Sequence, residues 1–445
     1  MKKKANFLIL LILVFSVGCN IVENPTIVSP TQGEEPVEIP QPAEASAIVK
    51  SDLARELSPQ VDPETILKLT NGNTAFAFSF FDQLDLNQDN IIFSPISLSL
   101  ALSMTMVGAD TSTEQAMMDV LQFSLPGEEV HRAFNALLLT IEESQKSAME
   151  GSEGSQFQLN IANSIWGQSG FQFKSSFLDT LALNYGSGLY NVDFIHNQET
   201  AREVINQWVE DETQDKIKNL IPEGAINSLT RLVLANAIYF NGSWLHPFNE
   251  TGTSQESFTT LDGSITTVEM MRLLGESFSY SSGDDFQAIN LPYLSRDFSM
   301  IILVPQAGKF SEFRSSLTSE TYQQIINDLN YESVNLYLPK FDFNTSIAAN
   351  DLLINLGMGE AFDADYADFS GMTDEEDLFI TNVLQKATIT VDEEGTEAAA
   401  ATAVIMGIKS APTQPIELVI DRPFLFFIQH QPTGSILFMG QVINP

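Results

Sequence analysis

Apolar residues recur at helical spacing in residues 75–84, where Phe76, Phe80, Phe81 and Leu84 share one side, and the same period returns in 97–107 and 203–221. Strand-like alternation or short apolar runs mark residues 232–241, 299–304, 334–338, 387–391 and 424–429. Helical segments dominate the first half and strands the second, which predicts an α+β unit and not a βα repeat. The pattern continues from about Asp62 to Pro445 without a second linker or an internal repeat. One domain over residues 62–445 follows.

Upstream the pattern changes twice. Lys2, Lys3 and Lys4 precede an apolar run over 7–17 that is too short to span a bilayer, so residues 1–18 read as an export signal. Ser16-Val17-Gly18-Cys19 resembles a lipobox, with Ser16 where that motif carries Leu. Lipidation of Cys19 would leave the protein anchored at the cell surface or outer membrane, facing outward; simple cleavage of the signal is the alternative. Residues 19–61 are expected to form a flexible linker, because 21–49 are rich in Pro, Glu, Ser and Thr and poor in periodic apolar content.

Charge and composition then narrow the chemistry. Fifty-eight acidic against 21 basic residues give a formal net charge of −37, which repels nucleic acid at every approach. With Cys19 the only cysteine, no intrachain disulfide and no thiolate cluster can form. Four histidines, His131, His196, His246 and His430, lie in no metal-binding spacing, and neither a nucleophile elbow nor a phosphate-binding loop occurs. Gly357-Met358-Gly359 lacks the third glycine of a dinucleotide fingerprint. Asp85, Asn87 and Asp89 imitate the start of a calcium loop, but Ile96 stands where the bidentate Glu belongs. The adjacent Glu375 and Glu376 sit in a polar stretch and read as an exposed loop. No cofactor, no metal and no enzymatic activity are expected.

One segment breaks the ordinary patterns: Asp392-Glu393-Glu394-Gly395-Thr396-Glu397, then Ala398, Ala399, Ala400 and Ala401, then small or apolar residues as far as Ile408. Alanine favours helix, yet no apolar stripe is present, Gly395 and Gly407 flank the run, and Pro412 and Pro415 follow. As a strand it is too long and too rich in alanine. A loop held outside a sheet and able to join it later fits the composition better.

Glu393 to Ala399 resembles the hinge of the serpin reactive loop, and the resemblance extends in order from about residue 62 to 445. Residues 90–97, with Ser94, Pro95 and Ser97, resemble the family's shutter motif, as does the strand holding Asn163. Asn236 through Trp244, with Pro247, Phe248 and Thr253, resemble its central strand and breach. Leu291-Pro292-Tyr293, Leu338-Pro339-Lys340-Phe341, Asp421-Arg422-Pro423-Phe424 and Leu437-Phe438-Met439-Gly440 continue the match. Gln385 replaces the usual shutter histidine, and Glu269 replaces a proline. Glutamine donates and accepts as imidazole does, but it takes no charge.

The resemblance implies a serpin fold: a single domain with a large, mainly antiparallel sheet, further sheets, about nine helices and an exposed reactive loop. It implies a suicide inhibitor of serine proteases, in which the cleaved loop inserts into the sheet while the protease is still acylated. Strand alternation would turn Thr396, Ala398, Ala400, Thr402, Val404, Met406 and Ile408 toward the core, and none is charged. Counted from Glu393, the bait bond joins Lys409 and Ser410, which suits a trypsin-like protease. A slightly long stretch before Asp421 leaves the bonds after Met406 and after Ile408 as alternatives, with elastase-like or subtilisin-like targets. A non-inhibitory binding protein or protease substrate is the other reading. The partner expected is a serine protease in covalent complex; a monomer is expected, with no nucleic acid, membrane attachment only through Cys19, and no heparin binding, since residues 128–147 hold only Arg132 and Lys146 as bases.

Overall fold

The first long helix starts where the sequence supplies both a cap and a proline: Asp62 accepts from the backbone N–H of Glu64, and Pro63 occupies the first turn. The computed structural model describes residues 47–85, 89–150, 157–374, 378–396 and 414–445. In chain order the elements are β1 (Ala47–Val49), α1 (Pro63–Gln83), β2 (Ile91–Phe93), α2 (Pro95–Met106), α3 (Thr111–Val120), α4 (Gly127–Glu150), β3 (Phe157–Gln168), α5 (Ser175–Tyr185), β4 (Leu189–Val192) and α6 (Gln198–Glu212). The strand-rich half follows with β5 (Leu232–Ser243), β6 (Ser254–Thr259), β7 (Ile265–Ser282), β8 (Phe286–Pro292), β9 (Phe298–Pro305), α7 (Phe310–Ser316), α8 (Ser319–Asn327), β10 (Asn330–Pro339), β11 (Phe341–Ala348) and α9 (Asn350–Leu353). Last come β12 (Ile380–Val391), β13 (Gly395–Thr396), β14 (Ile416–Val419), β15 (Phe424–His430) and β16 (Ser435–Val442).

Among the described residues the strands form two sheets. The first has seven strands in the order β1-β4-β3-β5-β13-β12-β11; the second has nine, β14-β10-β7-β8-β9-β15-β16-β2, with β6 beside β7. The expected further sheets are thus one. Most pairings are antiparallel, but β3 with β4, β5 with β12, and β10 with β14 are parallel. Helix α2 is buried at every residue, including the polar Ser97, Ser99, Ser103 and Thr105. Strand β5 is buried throughout and serves two cores by alternation. Leu232, Leu234, Ile238 and Phe240 join the large cluster shared with α1, α2 and the second sheet, whereas Val233, Ala235 and Ala237 join a smaller one under α6.

Two expectations need correction. The folded part reaches back to Ala47 and does not begin at Asp62: β1 pairs with β4, and Ser51, Arg55 and Glu56 hydrogen-bond to α4 and α5. These contacts are mostly polar and extended, so apolar periodicity does not reveal them. The helix expected over 203–221 stops at Glu212, where Thr213 Oγ1 donates to the Val209 carbonyl and accepts from Ile217 N–H, and Gln214 and Asp215 take left-handed backbone angles. The chain folds back, and Ile217, Leu220 and Ile221 are buried from a turn, not from a helix.

Candidate functional site: the hinge between two strands

Strands β5 and β12 pair directly over most of their length, from Leu232 opposite Ile380 to Ile238 opposite Ala387. Above that point they part, and β13 sits between them, with Gly395 opposite Ser243, Thr396 opposite Gly242, and Thr396 also opposite Val391. Asp392 makes the reversal possible. Its carboxylate accepts from the N–H groups of Glu394 and Gly395, and its own N–H donates to the Gly395 carbonyl at 3.0 Å. Only glycine fits at 395, because a Cβ there would collide with the Gly242 carbonyl.

The residues around this turn form a closed polar frame. The indole of Trp244 stacks on Tyr293, with centroids 4.7 Å apart, and donates from Nε1 to the Asp392 carbonyl at 3.0 Å. The backbone N–H groups of Trp244 and Phe248 donate to the carbonyls of Glu394 and Glu393 at 2.9 and 2.7 Å. Thr396 is fully buried, and its hydroxyl lies 2.8 Å from that of Tyr293, whose ionisation burial suppresses. Glu393 is also buried, with its carboxylate held by Thr253 Oγ1 at 2.6 Å and Lys340 Nζ at 2.8 Å.

Two adjacent carboxylates are shifted in opposite directions. Burial pushes Glu393 up, but hydrogen bonds from Lys340, Thr253 and its own backbone, with the Lys340 charge, outweigh it and hold the group below the usual carboxylate range. Glu394 is raised by burial and then by the charges of Asp392, Glu250 and Glu393. A depressed native pKa contributes stability that is complete above the unfolded value and lost as pH falls through the native one; a raised carboxylate pKa does the reverse. Acidification therefore relieves Glu394 first and then breaks the Glu393–Lys340 pair. Glu393→Gln is expected to lower the thermal midpoint at neutral pH and to flatten its decline below the carboxylate range. Calorimetry across pH checks this, and an acid limb identical to the parent's would contradict it.

Lower down, the same two strands are bolted together. Gln385 of β12 accepts from Ser94 N–H through Oε1 at 2.9 Å and donates from Nε2 to the Ser94 carbonyl at 2.9 Å and to Asn236 Oδ1 at 2.6 Å. Asn236 of β5 donates to Ser97 Oγ at 2.6 Å and to Asn163 of β3. Ser94 caps α2 and Pro95 occupies its first turn, which fixes the backbone that Gln385 grips. Ser94, Ser97, Asn236 and Gln385 are almost wholly inaccessible to water. Glutamine makes these three hydrogen bonds without a titratable ring.

The structure thus brings Glu393, Glu394, Gly395, Thr396 and Trp244 together at one end of the gap, and Ser94, Pro95, Ser97, Asn236 and Gln385 at its middle. Glu397, Ala398, Ala399, Ala400, Ala401, Lys409, Ser410 and Cys19 lie outside the described residues. The roles of Tyr293, Lys340 and Gly242 were not evident from sequence, although all three stand in the motifs quoted above. The requirement for glycine at a strand end was the available signal.

A family model described as Serpin (serine protease inhibitor) matches residues 71–445. The chain is a serpin. Human Serpin B3 is 38% identical over 399 residues, which covers 85% of this chain and 99% of that protein. An uncharacterized serpin-like protein of Thermococcus kodakarensis is 35% identical, covering 100% of this chain and 99% of its own length. Among solved structures, the thermophilic serpin tengpin in its native state superposes with a TM-score of 0.76 at 26% identity, over 90% of this chain and 100% of that one. Native protease nexin-1 with heparin gives 0.75 at 29%, over 86% and 100%. The α+β serpin fold expected from the sequence is the fold observed, and the family is one of protease inhibitors.

Proposed function

We propose that this serpin inhibits a serine protease by offering residues 397–413 as bait, forming an acyl-enzyme, and inserting the cleaved loop between β5 and β12. The carrying observation is the arrangement of β13: a strand antiparallel to both neighbours, begun at one end of a parallel pair. Continuing its register sets Met406 opposite Leu232 and Gly407 opposite Ile380, the far ends of both strands. The eleven residues from Glu397 to Gly407 would span about 36 Å. One parallel pairing would be exchanged for two antiparallel ones, which are slightly more stable per residue.

That register supports the bond between Lys409 and Ser410 over the one after Met406. A protease acylated to Lys409 would hang clear of the last rung, whereas one on Met406 would have to enter it. Lysine suits a pocket with an acid at its base. The acidic field of the chain favours a basic enzyme and disfavours a sulfated polysaccharide partner. Export and lipid anchoring through Cys19, with action as a monomer facing outward, complete the reading.

Incubation with trypsin tests it. A complex that survives boiling in detergent is expected, with a released peptide beginning at Ser410 by mass. A peptide beginning at Gly407 or Lys409 would move the bait bond; cleavage without any covalent complex would leave a substrate or binding protein.

A further inference from the structure

His131, on the second turn of α4, is buried yet only half satisfied. Its Nδ1 lies 2.7 Å from the Tyr185 hydroxyl on α5, the two rings meet edge to face with centroids 5.9 Å apart, and the residue is 6% exposed. Nε2 has no hydrogen-bond partner among the described residues. Burial pushes the imidazole down to about 4, so it is neutral at physiological pH. A buried nitrogen left open in this way marks a place where something outside the chain supplies the partner.

The ring forms part of the wall of a cavity of about 420 Å³ between the end of α2, the first turns of α4, and α5, a size ordinary for small-molecule sites. Its back is apolar, with Met106, Ala109 and Phe177 all buried. Its rim is polar. Ser176, Thr180 and Asn184 line it from one side of α5, each a helical turn from the next. Thr180 Oγ1 donates to the Ser176 carbonyl at 3.0 Å, and Asn184 Nδ2 to the Thr180 carbonyl at 3.1 Å. With those donors engaged, what the two side chains offer the cavity is mainly oxygen acceptors.

Charge narrows the ligand further. An anion would meet the carboxylates of Glu114 and Glu128 and a neutral imidazole, while the Arg132 guanidinium is drawn off to the Gln60 carbonyl at 2.7 Å. The carboxylates in turn face helix N-termini. Glu114 and Glu128 lie in the first turns of α3 and α4, and a Cβ on Gly127, where α4 begins, would stand 2.8 Å from Glu114 Oε1. Those positive helix ends offset the two charges, so the site does not call for a cation either. No group of three or more His, Cys, Asp or Glu side chains able to hold a metal occurs among the described residues. An apolar back, an acceptor-rich rim and one open imidazole nitrogen match a neutral molecule with an apolar face and many hydroxyl donors.

We propose that this cavity binds a neutral, hydroxyl-rich small molecule, a sugar ring or comparable polyol, with His131 Nε2 as its fixed contact. The full-length chain, isotope-labelled at histidine, tests this through its imidazole NMR signals as glucose is added. The His131 signal is assigned by its loss in His131→Gln, or by elimination through the other three histidines if that variant does not fold. It is expected to move saturably while those of His196, His246 and His430 stay in place. Thr180→Val removes one acceptor at a half-buried position and should weaken binding about fivefold; undiminished binding would remove α5 from the site. Methyl glucoside separates the two sources of such a ring: binding of both sugars fits the end of a glycan chain, binding of glucose alone fits a free sugar, and each upholds the site. A His131 signal moved by methylammonium or acetate but not by glucose would overturn the ligand class. One moved by none of these at up to about 100 mM would overturn the site itself.

Discussion

Thr396→Arg is expected to turn the proposed inhibitor into a substrate. The threonine side chain is fully buried in the gap between β5 and β12 and shares a hydrogen bond with Tyr293. It already occupies the end of β13, the strand that an inserting loop would extend. An arginine there must either bury a guanidinium without a counter-ion, at a cost of several kcal/mol, or hold the hinge out. In the proposed mechanism insertion competes with hydrolysis of the acyl bond, and each 1.4 kcal/mol added to its barrier slows it about tenfold. Cleavage should therefore proceed while covalent complex falls at least about tenfold in yield, read by titrating a fixed amount of protease and resolving products on a denaturing gel. Thr396→Ser keeps the hydroxyl and should behave as the parent. Full complex yield from the arginine variant would mean that the hinge does not enter the sheet by this route.

Gln385→Ala carries the second large effect. It deletes two hydrogen bonds to the Ser94 backbone and one to Asn236, all in a site closed to water. The Ser94 N–H and the Asn236 carbonyl oxygen are left without those partners, and a side-chain-sized void remains. Unsatisfied buried groups cost roughly 1–3 kcal/mol each, so a loss of about 3 kcal/mol in native stability is expected. Because Gln385 joins β12 to β5 and to the start of α2, the loss falls on the contact that keeps the sheet shut. The variant should melt several degrees lower and lose inhibitory capacity on mild warming without being cleaved. Thermal scans and activity after timed incubation check both; a midpoint equal to the parent's would show that the strand pairing alone holds the sheet.

The sequence made the strand cores and the hinge legible for different reasons. Strand β5 alternates between two cores and β9 and β15 are buried on both faces, so their apolar content is dense and local. The hinge stood out because Gly395 and the alanines suit neither an ordinary helix nor an ordinary strand. Ser94 and Pro95 announced the start of α2 through capping chemistry. What stayed hidden depends on partners far apart in the chain. Glu393 meets Lys340 and Thr253, and Asp392 meets Trp244, across separations that no periodicity encodes. Strand β1 escaped because its three residues form an exposed edge, with pairing supplied by β4 and room supplied by Gly188. The end of α6 was misjudged because buried residues at 217, 220 and 221 imitate a continuing helical stripe when they belong to a turn.

The central claim is that the closed pairing of β5 with β12 is not the most stable arrangement open to this chain, and that the loop is the missing strand. Measuring the thermal midpoint before and after a single cut within residues 397–413, with both fragments retained, tests this most directly. Insertion of the loop predicts a rise of roughly 10 °C or more. A midpoint that stays where it was, or falls, would contradict the claim.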